Sequence, residues 1–211
     1  MGDPPGAAGA DRAARADELC HQQILEQIRQ SELSAAASMA LRAFGPRIIA
    51  YLRGMLHEEQ AVEDTYGQFC EDLWRGIGSF RGDCHFRTWA FQLAHNAACH
   101  FLKDPFRRRA RPLLTAEIAA VANEVRESTS DYLRTSVQER FACLRKRLDP
   151  EEQALLSLRV GQRLSWSEVA QVMSRPDQPL DETALRKRFE RLKARLRELA
   201  QAEGLLRRKP E

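Results

Sequence analysis

Residues 164–198 read LSWSEVAQVMSRPDQPLDETALRKRFERLKARLRE. Ser165 with Glu168 three places on is a capping box: the serine side chain takes the third backbone amide of the helix and the glutamate returns to the serine amide, so a helix opens here. It is short, running to about Met173, and a polar turn over 174–181 containing Pro176 and Pro179 follows it. A long basic helix then starts at about Glu182. On a 100° wheel Leu185, Phe189, Leu192, Leu196 and Leu199 form one narrow stripe, with Lys187 and Arg191 opposite and Arg186, Lys193 and Arg197 on a flank. Two helices joined by a turn, the second rich in arginine, make a helix-turn-helix in which one face packs and the others can meet phosphates and base edges. Residues 186–211 carry ten Lys or Arg against four Glu, the balance expected of a segment facing an acidic polymer.

Upstream the pattern stays helical. Asp149, Pro150 and Glu152 supply a cap, a first-position proline and a box partner, and Val137, Phe141, Leu144 and Leu148 predict helix from about Tyr132. Leu25, Ile28, Leu33, Met39, Leu41, Phe44, Ile48, Ile49 and Leu52 recur at three- and four-residue spacings, with Gly45 and Pro46 placed to bend the segment. Residues 61–74 and 86–102 predict two further helices, separated by a loop holding Gly76, Gly78 and Gly82. Asp104 and Pro105 break the pattern, Arg107, Arg108, Arg109 and Arg111 form a basic run closed by Pro112, and Thr115 is placed to cap a short helix carrying Ile118, Val121 and Val125 on one side. The chain holds 29 Ala and 25 Leu against 7 Val, 6 Ile and 6 Thr, so strong helix formers dominate. The expected fold is all-α, with two small helical domains: a tail over 1–20, a first domain over 21–104, a linker over 105–131, a second domain over 132–203 and a basic tail over 204–211.

A chain of 211 residues that is 43% hydrophobic and 30% charged is neither a low-complexity polymer nor a membrane protein. No stretch approaches the roughly 18 apolar residues of a spanning helix and no signal peptide opens the chain, so the expectation is a cytoplasmic protein without membrane insertion. The net charge of +3 does not by itself announce a nucleic-acid binder, but its distribution is uneven: residues 58–72 hold Glu58, Glu59, Glu63, Asp64, Glu71 and Asp72 and no base. Cys20, Cys70, Cys84, Cys99 and Cys143 are scattered without any CxxC spacing and read first as small apolar residues. His95 and Cys99, with Cys84, His85 and His100 close in sequence, offer metal-binding residue types but match no zinc spacing. No phosphate-binding lysine loop, HExxH or nucleophile elbow is present, so an enzyme is the weakest class.

Two segments together resemble the extracytoplasmic-function group of bacterial sigma-70 family RNA polymerase sigma factors. The N-terminal one is similar to sigma region 2, through Phe44-Gly45-Pro46-Arg47, Val62-Glu63-Asp64, Leu73-Trp74-Arg75, Phe80-Arg81-Gly82, Phe86-Arg87-Thr88-Trp89 and Leu93-Ala94-His95-Asn96. The C-terminal one is similar to region 4, through Leu148-Asp149-Pro150-Glu151-Glu152-Gln153, Leu164-Ser165-Trp166-Ser167-Glu168-Val169-Ala170 and Arg186-Lys187-Arg188-Phe189. Departures are Gly67-Gln68 where the family usually has Gln-Glu, the eight-residue turn over 174–181, and His95 where Arg is usual.

The resemblance implies a protein without cofactor or catalysis. It implies that core RNA polymerase is met by Glu63, Asp64, Gln68, Glu71 and Trp74. It implies −10 promoter contacts from Ser79, Phe80, Arg81, Asp83, Cys84, His85, Phe86, Arg87, His95, Asn96 and His100, where the loop holds a base flipped from the non-template strand. It implies −35 contacts from Thr183, Arg186, Lys187, Arg188, Arg191, Lys193 and Arg195. The implied partners are core polymerase and promoter DNA, with an anti-sigma factor as a further candidate. Trp89, in step with Leu93 and Ala97, reads as core. The competing class is a one-component helix-turn-helix regulator that binds operator DNA as a dimer, and a third is a zinc-dependent redox sensor.

Overall fold

The computed structural model of the chain describes residues 7–104, 114–132, 147–175 and 178–202. Its regular elements, among those residues, are helices: α1 (Ala7–Arg29), α2 (Leu33–Leu56), α3 (Glu59–Gly76), α4 (Phe86–Lys103), α5 (Ala116–Tyr132), α6 (Pro150–Leu156), α7 (Trp166–Met173) and α8 (Glu182–Ala202). A short 3-10 turn, Ile77–Ser79, follows α3, and a π-helical turn, Ser157–Gly161, extends α6. The basic run at Arg107, Arg108, Arg109 and Arg111, the helix expected through Val137, Phe141 and Leu144, Cys143 and the tail over 204–211 lie outside the described residues.

The local signals act where the sequence places them. Asp149 and Ser165 each accept from the third amide of α6 and α7, and Glu152 and Glu168 return to the cap amides. Thr115 Oγ1 accepts from the Ile118 amide at the start of α5. Pro46 does not break α2, which runs through it and ends at His57 in the left-handed conformation, with φ of 57°. Within the stretch expected as a tail over the first twenty residues, the described part is helix from Ala7. The stretch lacks an apolar face, but it is alanine-rich, and Asp17 anchors it through ion pairs to Arg47 at 2.7 Å and Arg87 at 2.9 Å.

α2 is the central helix, with α1, α3, α4 and α5 laid against it. Tyr51, Phe44, Phe69, Phe86 and Phe91 are the largest side chains sealed in this core. The boundary expected between two domains is not a boundary in the packing, because the buried hydrophobic cluster runs without interruption from Ile24 through Leu155, Val169 and Leu192. α6 rests on α2 and α7 on α4. Polar side chains stitch this junction: Arg47 Nε donates to Gln162 at 2.7 Å, Thr88 Oγ1 donates to Glu168 at 2.9 Å, and Gln153 lies 2.7 Å from His57.

Candidate nucleic-acid interface

The loop between α3 and α4 is built by local necessity. Ser79 Oγ donates to the Gly76 carbonyl at 2.8 Å, closing the 3-10 turn, and Gly82 takes φ of +82°, which side-chain-bearing residues rarely adopt. Phe80 turns inward against Phe86 and Trp89, each with ring centroids 5.0 Å away. Trp89 is therefore a core packer, in keeping with its step to Leu93 and Ala97. Arg81, Asp83 and Ser79 are left exposed on the outside of the loop.

Two imidazoles satisfy the first amides of α4. His21 Nδ1 accepts from the Phe86 amide and His85 Nδ1 from the Arg87 amide, both at 3.1 Å, and the rings stack at 4.6 Å. Each ring must present an unprotonated Nδ1 to do so. Burial, the neighbouring His21 and the Arg87 charge push the His85 pKa down, consistent with that neutral form.

Several residues expected at the −10 surface are turned away from it. Phe86 is sealed in the core, and Phe80 is buried with it. His95 is corrected from a surface contact to a core residue: it is 2% exposed, 2.8 Å from the Tyr51 hydroxyl and 3.4 Å from Cys99 Sγ. Arg87 is only 16% exposed at its side chain and is held by Asp17 and Glu168. Cys84 and His85 are half-buried, as is Asn96, while His100 is exposed at the far end of α4, beside α3. The loop thus offers Ser79, Arg81 and Asp83 directly.

On α3, Asp64 and Gln68 are exposed and Glu63 is partly so, facing Arg126 of α5 at 3.7 Å. They border a groove of about 970 Å³ shared by α3, the end of α4 and α5. Asp72 lies in the same lining, its carboxyl pKa raised mainly by burial. Glu71 is corrected from that acidic surface to the interior: it is 6% exposed and paired with Arg75. Trp74 is half-buried against the core.

On α8, the wheel stripe is the packed one. Leu185, Phe189 and Leu192 are buried and Phe189 meets Trp166 edge-on at 5.5 Å. Thr183, Arg186, Lys187, Arg191, Lys193 and Arg195 are exposed. Three of the expected DNA-reading arginines already have intramolecular partners: Arg188 pairs with Glu151 at 2.6 Å, Arg195 with Glu152 at 2.8 Å and Arg186 with Glu182 at 3.5 Å. The long turn is tied internally, since the Leu180 amide donates to Ser174 Oγ at 2.8 Å, and Asp181 caps α8 by accepting from the Ala184 amide at 3.0 Å.

Sequence reasoning missed Asp17, His21 and Gln162, and saw Arg47 and Glu168 only as motif or cap positions. No local signal marks them, because each acts on a residue far away in the chain. Among the described residues no three His, Cys, Asp or Glu side chains come together as a metal site, and burial pushes the Cys70 thiol up to about 12, leaving it an inert packing group.

The Sigma-70 region 2 family model matches residues 40–110. The chain is 25% identical over 161 residues to the RNA polymerase sigma-H factor of Pseudomonas aeruginosa, covering 74% of this chain and 83% of that protein. It is 24% identical over 150 residues to the RNA polymerase sigma factor YlaC of Bacillus subtilis, covering 71% and 86%. It is 24% identical over 167 residues to the ECF RNA polymerase sigma-E factor of Haemophilus influenzae, covering 76% and 87%.

Proposed function

We propose that this chain, a sigma-70 family factor of the extracytoplasmic-function type, directs core RNA polymerase to promoters by dividing the work among three surfaces. The exposed acids of α3, Glu63 and Asp64 with Gln68, dock the polymerase, where charge complementarity sets register and on-rate. The loop carrying Ser79, Arg81 and Asp83 receives the melted −10 strand, and the exposed face of α8, with Thr183, Arg186, Lys187, Arg191 and Lys193, reads the −35 duplex in the major groove. The observation that carries the reading is the pairing, on one chain, of a region 2 match over 40–110 with a capped helix-turn-helix whose second helix turns its bases to solvent.

Elements centred at −10 and −35 are about 25 base pairs apart, roughly 85 Å along B-DNA. A compact chain of this size has a radius of gyration of about 17 Å. Reading both elements at once therefore requires α6, α7 and α8 to part from α2 and α4. Linking two modest binders through polymerase then supplies the affinity. No described helix is long and apolar enough to cross a membrane, and we place the protein where core polymerase works, in the cytoplasm.

The test is transcription in vitro with purified core polymerase on genomic fragments, with and without the chain. Discrete new start sites dependent on the chain are the expected result. Tight binding of a palindromic duplex by the chain alone, as a dimer, with core adding nothing, would establish the one-component regulator instead.

A further inference from the structure

Helix α5, in the segment joining the two halves, packs along α2 with Ile118, Val121, Ala122 and Val125 buried beneath it. On the face of α2 below it, Gly45 allows a close approach: a Cβ there would stand 2.6 Å from Val125 Cγ1. On the rim, Arg126 faces Glu63, Glu124 accepts from Arg42 at 3.3 Å and Glu117 from Ser34 at 2.5 Å. An amphipathic helix with a base set against Glu63 is thus seated beside the acids assigned above to polymerase docking.

Open grooves flank the seat on both sides. The 970 Å³ groove opens on one side of α5, and a second of about 820 Å³, lined by Ala35, Ser38, Met39, Arg42, Val121 and Glu124, opens on the other. Ser38 Oγ in one lining and Thr65 Oγ1 in the other are buried without a hydrogen-bond partner. The hydroxyls that an optimised helix contact would satisfy are left unmet.

We propose that α5 is an internal occupant of the polymerase seat: the α2–α3 face accepts an amphipathic, basic-edged helix of core polymerase, and α5 holds that place until the helix displaces it. Helix-in-groove recognition reads apolar side chains at three- and four-residue spacing, and Ile118, Val121, Ala122 and Val125 present that pattern. Glu63 then exchanges Arg126 for a base on the incoming helix. An occupant tethered in the same chain acts at high effective concentration, so it lowers the apparent affinity of the competing helix by the fraction of time it is seated. The inference rests on the docking role proposed for Glu63 and Asp64.

Two measurements on the full-length chain test it. Hydrogen exchange, followed by mass spectrometry in the free chain and in its complex with core, is expected to show α5 amides losing protection on binding while α2 amides keep theirs. The triple variant Glu117→Ala, Glu124→Ala, Arg126→Ala cuts the rim ties without touching the docking acids, and should bind core about three- to tenfold more tightly. α5 amides that remain protected in the complex, or a triple variant that binds core no better than the parent, would overturn the displacement. A chain that forms no complex with core would instead remove the docking role itself, and this inference with it. A different protein that unseats α5 in the exchange experiment while core does not would assign the seat to that partner and overturn the commitment to polymerase.

Discussion

The Tyr51 hydroxyl and His95 Nδ1 lie 2.8 Å apart inside the core, in residues that are 0% and 2% exposed. A neutral imidazole serves both contacts, one ring nitrogen donating and the other accepting between the Tyr51 hydroxyl and Cys99 Sγ. Burial first, and the Arg175 charge second, push the His95 pKa down from 6.5 to about 4. The unfolded chain therefore binds a proton between those values that the folded chain refuses. This contribution to stability is complete above pH 6.5 and is lost as pH falls through the window toward 4, by on the order of 3 kcal/mol. Urea midpoints should drop between pH 7.5 and 4.5, and His95→Gln should shrink that drop; an unchanged difference in the variant would refute the assignment.

Gly45→Ala is expected to destabilise, although alanine in place of glycine inside a helix ordinarily gains about 1 kcal/mol. The added Cβ would meet Val125 Cγ1 at 2.6 Å and Tyr66 Oη at 2.8 Å, a stiff β-branched side chain and the end of a buried ring. Overpacking of this kind costs roughly 1 to 3 kcal/mol, which offsets or exceeds that gain, so the net loss should be up to about 2 kcal/mol. Thermal unfolding decides the sign.

Reversing Glu63 and Asp64 to Lys should weaken association with core polymerase by at least about tenfold, since like-charge juxtaposition can cost several kcal/mol. Circular dichroism should show an unchanged helical signal, because Asp64 is exposed and Glu63 lies at the rim beside Arg126, outside the core. Co-elution with core at parental strength would remove α3 from the docking surface.

In the loop, Arg81→Ala and Asp83→Ala should impair permanganate-detected promoter melting while leaving stability within about 0.5 kcal/mol, as exposed positions allow. Phe86→Ala should instead cost about 3 to 5 kcal/mol through the cavity it leaves among Phe44, Phe80 and Trp89, and reports on folding alone. Normal melting with both exposed positions replaced would move the strand-holding site elsewhere.

Along α8 the bases should divide into two groups. Arg191→Ala and Lys187→Ala should reduce promoter affinity and, for a phosphate contact, lower the salt slope by about 1 without loss of stability. Arg188→Ala breaks the pairs to Glu151 and Asp149 and should lower the melting temperature as well. Equal behaviour of all three variants would contradict the division.

What the sequence made legible was local. The capping boxes at Asp149 and Ser165 and the cap at Thr115 act between residues three apart, and the leucine stripe of α8 needs only the helical period to declare its buried side. The differences arose where a motif position does not say which way a side chain turns: Glu71, Phe86 and His95 sit in segments expected to have surface roles, yet each faces inward because a helix shows only part of its circumference to solvent. Asp17 and the helix around it were out of reach for another reason. Their anchors, Arg47 and Arg87, are 30 and 70 positions away, and no periodicity in the intervening chain reports a charge pair of that span.

The hydrophobic cluster that passes from α2 and α4 into α6 and α7 makes the two halves one cooperative unit, so heating the free protein should melt it in a single calorimetric transition. The separation proposed above would divide that unit into two smaller bodies, each burying a smaller share of its own surface. A form so divided would then take part of its stability from polymerase and DNA. A molecule that opened without finding either would be the one most exposed to proteolysis, which would tie the lifetime of the protein to how much of it is engaged.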